Sequence, residues 1–397
     1  MRIADRIGRL RAETAFAVSA EAAAHAAKGN KIYPFHIGDL NLSTPRNVVE
    51  AALRAIDQRK TGYCPTAGVP ELRRLLAEDI NRSHGTDYAA ANVLIQPGGK
   101  PVITKFIQTL MNPGDEVLYP NPGYPIYEFQ VEYYGGKGVP YTFREGERNF
   151  ELRLEDMESR ITPKTRLLVF NDIQNPTGAE SSAEELERLA EIVRRHNLMV
   201  LCDEAYFDMR YEGTSRSLAS LSGMQERCVI LYSFSKKFAM TGWRLGAAIG
   251  PKEFIDAATK IAVNDESCTT HFVQYAGIEG LTGDQSGVRE IVRVLKERRD
   301  VAVEMLRAIP GVRCFKPEGT FYLFPNVTEL MKRKCFASYD DLRKSVLAHT
   351  GVSFCTRLHF GPEMPGEAER YIRLAYSGIN ADQIEEGLGK LKKYLES

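Results

Sequence analysis

The chain has 397 residues, 43% hydrophobic and 26% charged, and its 52 lysines and arginines equal its 52 aspartates and glutamates. That length suits two closely joined domains rather than one small core, while the neutral balance gives no footing for nucleic acid and the lack of a long apolar run none for a membrane span. At the N-terminus Asp5, Arg6, Arg9, Arg11 and Glu13 interrupt any secretory core, and the seven scattered cysteines (64, 202, 228, 268, 314, 335, 355) form no CxxC pair, so neither a disulfide framework nor a zinc site is indicated and a reducing, cytoplasmic compartment is expected.

In chain order, Ala20–Ala27 reads as an alanine-rich helix. Apolar runs then alternate with helical patterns: Glu116–Tyr119, Arg166–Phe170, Leu198–Cys202, Cys228–Tyr232 and Leu245–Ile249. That rhythm predicts an α/β fold with a mostly parallel central sheet flanked by helices. Between the second and third runs Ser182 and Glu185 form a capping box, followed by Leu186, Leu189, Ala190 and Val193 at helical spacing, which marks a crossover helix. From about Asp284 a long charged helix runs to Arg307, then come Gly/Pro-punctuated short segments and a C-terminal amphipathic stretch from Asp382, the pattern of a second, smaller unit. There is no internal repeat and no low-complexity tract.

The chemistry-bearing residues gather where the apolar runs end. Gly98-Gly99-Lys100 precedes a helix near Pro101, so its backbone N–H groups suit a phosphate; it is not a P-loop, because no glycine stands five residues before Gly99 and Pro101 replaces the Ser/Thr. Asn175-Pro-Thr-Gly178 follows a strand and by itself is an ordinary turn. Cys202-Asp203-Glu204-Ala205-Tyr206 puts an acid at another strand end; a carboxylate there can keep a pyridine nitrogen protonated or simply cap a helix. No histidine lies nearby to favour a metal. Most informative is Tyr232-Ser-Phe-Ser-Lys-Lys-Phe-Ala-Met-Thr-Gly-Trp-Arg-Leu-Gly246, directly after a strand. Two serines, two lysines and an arginine at a strand's carboxyl end suit a phosphate plus a nucleophilic amine. A lysine pair alone would more often be a solvated turn.

Taken together, these segments resemble the class I/II, fold-type I pyridoxal-phosphate-dependent aminotransferases of the aspartate-aminotransferase type, in one order along nearly the whole chain. The resemblance implies a large cofactor-binding domain over residues 39–283 and a smaller α+β domain over 284–397, with residues 1–38 forming an N-terminal arm and part of the small domain. It implies pyridoxal 5'-phosphate held as a Schiff base on Lys236, which stands eight residues before Arg244, with Lys237 a bystander. Ser233, Ser235, Arg244 and the Gly98–Lys100 backbone would hold the phosphate, Asp203 the ring nitrogen, and Asn175 and Tyr206 the ring's phenolic oxygen. Tyr124 matches the aromatic residue that stacks on the cofactor; Arg373, in Ile-Arg-Leu-Ala-Tyr376, matches the clamp on the substrate α-carboxylate, for which a guanidinium fork is suited; Gly38 matches a backbone contact to that carboxylate. Tyr63 matches the tyrosine reaching the partner subunit's phosphate, which implies a homodimer with shared active sites.

The implied reaction moves an amino group from an L-amino acid to a 2-oxo acid by a ping-pong cycle, with lyases, cyclases and racemases as the alternative on this fold. Two positions depart from the family pattern: Asn41 stands where an acid is usual, and Asp172-Ile-Gln precedes Asn175. Cys64 and Cys268 read as packing residues.

Overall fold

The structure is a computed structural model that describes residues 1–10 and 15–397; Arg11 and Glu13 lie outside the described residues. Its centre is a sheet of seven strands: β1 (Val93–Gln96), β2 (Glu116–Pro120), β3 (Lys137–Tyr141), β4 (Thr165–Asn171), β5 (Met199–Asp203), β6 (Cys228–Ser233) and β7 (Gly246–Ile249). Their spatial order is β1-β7-β6-β5-β4-β2-β3, and β7 alone runs antiparallel to its neighbours. The largely parallel sheet expected from the strand-helix rhythm is therefore present.

Alternation along each strand builds two apolar layers. Ile95, Leu118, Leu168, Val200, Ile230 and Ala247 pack on one face, while Leu94, Val117, Val169, Leu201, Val229 and Ala248 pack on the other. Both faces are covered, which is why these strands read as unbroken apolar runs.

Six helices carry the argument: α1 (Ala15–Ala26), α2 (Gly99–Leu110), α3 (Ile126–Tyr133), α4 (Ala183–Arg195), α5 (Ser286–Arg307) and α6 (Ala381–Glu396). The capping box at α4 forms: Ser182 Oγ accepts from the Glu185 amide at 3.1 Å, and Glu185 Oε2 accepts from the Ser182 amide at 2.8 Å. Leu186, Leu189, Ala190 and Val193 then bury one stripe against the first layer. Val102, Phe106 and Ile107 of α2 cover the second.

A separate core forms where α5 and α6 pack. Ile291, Leu295 and Leu306 meet Ile384, Leu388 and Leu391, and each fully buried leucine there contributes about 2 kcal/mol. Tyr33 and Phe35 of the N-terminal segment join this core, and Tyr33–Pro34 pairs in parallel with Val352–Ser353. Three short antiparallel strands complete it: β8 (Tyr322–Leu323), β9 (Cys355–Thr356) and β10 (Ile372–Ala375), with β10 central. Ile173, Tyr206 and Met209, which follow the carboxyl ends of β4 and β5, also belong to this second core. The seam between the cores thus runs along the strand ends. No helix of the described residues is long and apolar enough to cross a membrane.

Candidate active site

Gly38, Gly99, Lys100, Tyr124, Asn175, Asp203, Tyr206, Ser233, Ser235, Lys236, Arg244 and Arg373 all line one cavity of about 280 Å³ on that seam. Strand register explains much of the convergence. Asn171 and Asp203 are paired at the ends of β4 and β5, and Ser233 faces Gly246 where β6 meets β7. Gly246 also packs against Gly98: a Cβ there would stand 2.7 Å from the Gly98 carbonyl carbon. The loop before α2 is thereby pressed beside Arg244.

Around Ser233, Ser235 and Arg244 the cavity is polar and cationic. Ser233 Oγ accepts from the Ser235 amide at 3.2 Å and caps the short turn that carries Lys236. Arg244 takes a left-handed conformation, φ 57°, with Nη1 donating to the Thr241 carbonyl at 2.7 Å. Gly98 stands outside the cavity lining but fixes this corner: at φ 102° it lies so close to Arg244 that a Cβ would come within 2.2 Å of Nη2. Gly99 and Lys100 at the start of α2 line the same cavity, and no side chain caps that helix at Gly98.

Asp203 lines the same cavity, only 6% exposed. Burial pushes its carboxyl above the usual range, and the Tyr127 hydroxyl and Ala205 amide act against that. Tyr206 donates to or accepts from Tyr322 at 2.8 Å, and Asn175 Oδ1 accepts from Arg373 Nη1 at 3.2 Å. Lys236 Nζ donates to the Gly38 carbonyl at 2.8 Å and lies over the Phe321 ring. Lys237 points away and pairs with Asp208 and Asp79 at 3.2 and 3.7 Å.

Arg373 is the electrostatic oddity. It is 4% exposed, sandwiched between the Tyr322 and Phe360 rings at 4.5 and 4.7 Å, and donates to the His36 carbonyl at 2.6 Å. Among the described residues no carboxylate pairs with it, and its Nε has no partner. A buried guanidinium without a counter-charge is costly unless an anion visits it. The nearby histidines do not add charge: burial and Arg373 push His36 down to about 4, and burial lowers His359 as well.

These residues fit pyridoxal 5'-phosphate: a cationic, glycine-lined cradle for phosphate, a buried acid for the ring nitrogen, an aromatic wall at Tyr124 and a lysine in the same cavity. Tyr63 is not brought to this cavity by its own chain; its side chain is 90% exposed. The departures from the family pattern are structural. Asn41 bonds Arg298 and Asn380, and Gln174 is buried with Nε2 on the Pro122 carbonyl at 2.7 Å. Sequence reading missed Tyr127, Tyr322, His36, His359 and Phe360, which also line the cavity. Tyr127 and His36 stand inside segments singled out for other residues, Pro122-Gly-Tyr-Pro-Ile-Tyr127 around Tyr124 and His36-Ile-Gly-Asp-Leu40 around Gly38, while Tyr322, His359 and Phe360 stand in no motif.

A family model described as aminotransferase class I and II matches residues 30–391. The aspartate aminotransferase of Bacillus sp. (strain YM-2) is 32% identical over 396 residues, covering 99% of each chain. An asparagine–oxo-acid transaminase of Streptococcus mutans is 30% identical, covering 100% of this chain and 99% of its own. The crystal structure of an aspartate aminotransferase from Rhizobium meliloti superposes with a TM-score of 0.92 at 29% identity, covering 100% of this chain and 99% of its own.

Proposed function

The chain belongs to the class I and II aminotransferases, pyridoxal-phosphate enzymes that move an amino group between an amino acid and a 2-oxo acid, and from that premise we propose how its own side chains divide the work. The observation that carries the proposal is that Lys236, Asp203 and the uncompensated Arg373 line a single cavity.

Lys236 is the covalent attachment point for the cofactor's aldehyde carbon. The cofactor, when bound, supplies a conjugated ring that spreads the negative charge left on Cα when its proton is removed. Arg373 takes the substrate α-carboxylate on its guanidinium fork, and with Gly38 it fixes which Cα bond stands across the ring plane. With the cofactor bound, Lys236 Nζ would be the base that takes the proton from the substrate Cα and returns it in the reverse half-reaction. Asp203 would accept the hydrogen bond of the protonated ring nitrogen. Asn175 and Tyr206 would hold the phenolic oxygen, Tyr124 would stack on the ring, and Ser233, Ser235, Arg244 and the amides of Gly99 and Lys100 would hold the phosphate; the Gly98 amide expected to join them instead donates to the Gln96 carbonyl at 2.7 Å, and Gly98 serves this corner through its close packing on Arg244. Two half-reactions through one site give ping-pong kinetics.

Further parts of the proposal rest on less. A homodimer with Tyr63 reaching the partner subunit's phosphate is supported by that side chain's exposure and by exposed Leu53 and Ile56 on the helix Arg46–Asp57 just before it. A large unit over 39–283 and a small one over 284–397, with 1–38 an N-terminal arm and part of the small unit, is supported by the second core, which Tyr33 and Phe35 join, while Val18 of the arm packs in the first. Seven free cysteines suit a reducing, cytoplasmic setting. The names of the aspartate and asparagine enzymes make four-carbon acidic or amide donors the first to try.

A donor and acceptor screen tests the reading. Holoenzyme mixed with aspartate, asparagine, alanine or phenylalanine in the absence of acceptor should convert its cofactor to the amine form with the donors it accepts, and amines lacking the α-carboxylate should fail. Equal turnover of the decarboxylated analogues would remove Arg373 from its role.

A further inference from the structure

Tyr127 lines the same cavity yet has none of the roles above. It sits in the first turn of α3, 1% exposed, and its hydroxyl donates to Asp203 Oδ2 at 2.6 Å. Three residues earlier Tyr124 faces the cavity, and the two rings meet edge to face with centroids 5.7 Å apart at 87°. The entry into α3 therefore carries both the ring proposed to stack on the cofactor, just before the helix, and a phenol in its first turn aimed at the acid proposed to bind the cofactor's nitrogen.

Asp203 is held at three points. Oδ2 accepts from Tyr127, Oδ1 accepts from the Ala205 amide at 3.2 Å, and its backbone carbonyl accepts from Asn171 Nδ2 at 2.9 Å. Among the described residues no cation bonds its carboxylate. The Tyr127 bond is the shorter of the two to that carboxylate, in the range of a charge-assisted O–H···O⁻ bond. Two of the roughly four acceptor positions of a carboxylate are thereby used and the rest stay open.

We propose that Tyr127 is the positioning residue for the cofactor's ring nitrogen: its hydroxyl orients the Asp203 carboxylate and keeps it anionic, so that Asp203 accepts a hydrogen bond from the protonated ring nitrogen and leaves the proton on the ring. A neutral donor suits this task better than a cation. An arginine or lysine would neutralise the carboxylate and weaken its hold on a pyridinium, whereas a phenol supplies a hydrogen bond and leaves the net charge in place. Burial and the neighbouring Asp203 raise the Tyr127 phenol well above its ordinary range, so it stays a donor at any working pH. Its neighbours on the other side of Asp203 are Glu204, which disfavours a second negative charge, and Tyr206, itself kept protonated by burial. That leaves Tyr127 and the Ala205 amide as the groups opposing protonation of Asp203.

The inference rests on the assignment of Asp203 to the ring nitrogen, and one experiment separates the two. Full-length apoenzyme is titrated with pyridoxal 5'-phosphate and with its carbocyclic analogue, in which a C–H replaces the ring nitrogen. The wild-type chain should prefer the natural cofactor. Tyr127→Phe should cut that preference about tenfold, the size of one hydrogen bond to a charged group, while binding of the analogue stays within about threefold. Equal weakening of both ligands would mean that the hydroxyl serves packing alone, and no change in either would mean that it serves nothing; both outcomes overturn the proposal. Asp203→Asn is the reference. If it leaves the preference intact, the reading of Asp203 falls; if it abolishes the preference while Tyr127→Phe does not, only the role of Tyr127 falls. Should Tyr127→Phe fail to fold, 3-fluorotyrosine at position 127 preserves the shape with a more acidic phenol and should raise the preference above wild type, and an unchanged preference would overturn the proposal.

Discussion

Gly98→Ala isolates the phosphate corner of the site. At φ 102° and ψ −177° an alanine is strained by about 1–3 kcal/mol, and its Cβ would stand 2.2 Å from Arg244 Nη2 and 2.8 Å from Cζ. Those atoms are the far end of a flexible side chain, so the clash resolves when the guanidinium swings away, and the backbone can stay. The fold then loses only the strain, while phosphate binding loses one or two charge-assisted hydrogen bonds at about 1.5–3 kcal/mol each. For one bond that is a rise of about 10- to 150-fold in the dissociation constant of pyridoxal 5'-phosphate. The assay is equilibrium titration of the apoenzyme followed by cofactor absorbance, beside thermal melts of the cofactor-free protein. Because Gly98→Ala acts by displacing Arg244, it should add little to Arg244→Ala in the double variant. A dissociation constant within about threefold of wild type, or full additivity with Arg244→Ala, would refute the reasoning.

Arg373→Lys keeps the charge and loses the fork, so the KM for amino donors should rise by about 30- to 150-fold, for roughly 2–3 kcal/mol of bidentate binding, with cofactor affinity unchanged; steady-state kinetics and cofactor titration check both, and a loss of cofactor instead would place Arg373 elsewhere. Mixing Tyr63→Phe with Lys236→Ala after reversible dissociation should build one site with both defects and one with neither, restoring up to about half the wild-type activity per heterodimer. No recovery would put Tyr63 on its own subunit's site. If Tyr63→Phe is too mild, a charged replacement at that position gives the same pattern.

Strands buried on both faces announced themselves as apolar runs, so β2, β4, β5, β6 and β7 lie within two residues of their expected bounds. β3 did not, because Lys137-Gly-Val-Pro-Tyr141 is an edge strand pairing only with β2, where glycine and proline are tolerated. β1 is four residues long and abuts the Pro-Gly-Gly loop, which hides it. Motif residues were legible because they sit at strand ends in a fixed order. What was not legible is what packing supplies from distant segments: Tyr322 of β8, Phe360 beyond β9 and His36 next to Phe35 meet Arg373 of β10 only once these segments pack together around that strand. Tyr63 is the remaining case, a residue whose proposed partner lies on another chain.

The central claim is that Lys236, and not Lys237, carries the cofactor. Lys236 opens onto the cavity beside Gly38, while Lys237 is tied to Asp208 and Asp79. Borohydride reduction of the holoenzyme fixes the cofactor on whichever amine holds it, and peptide mapping by mass spectrometry reads the position. The label is expected on Lys236, with Lys236→Ala unlabelled and Lys237→Ala labelled as wild type; a label on Lys237, or one that survives Lys236→Ala at full yield, would contradict the account.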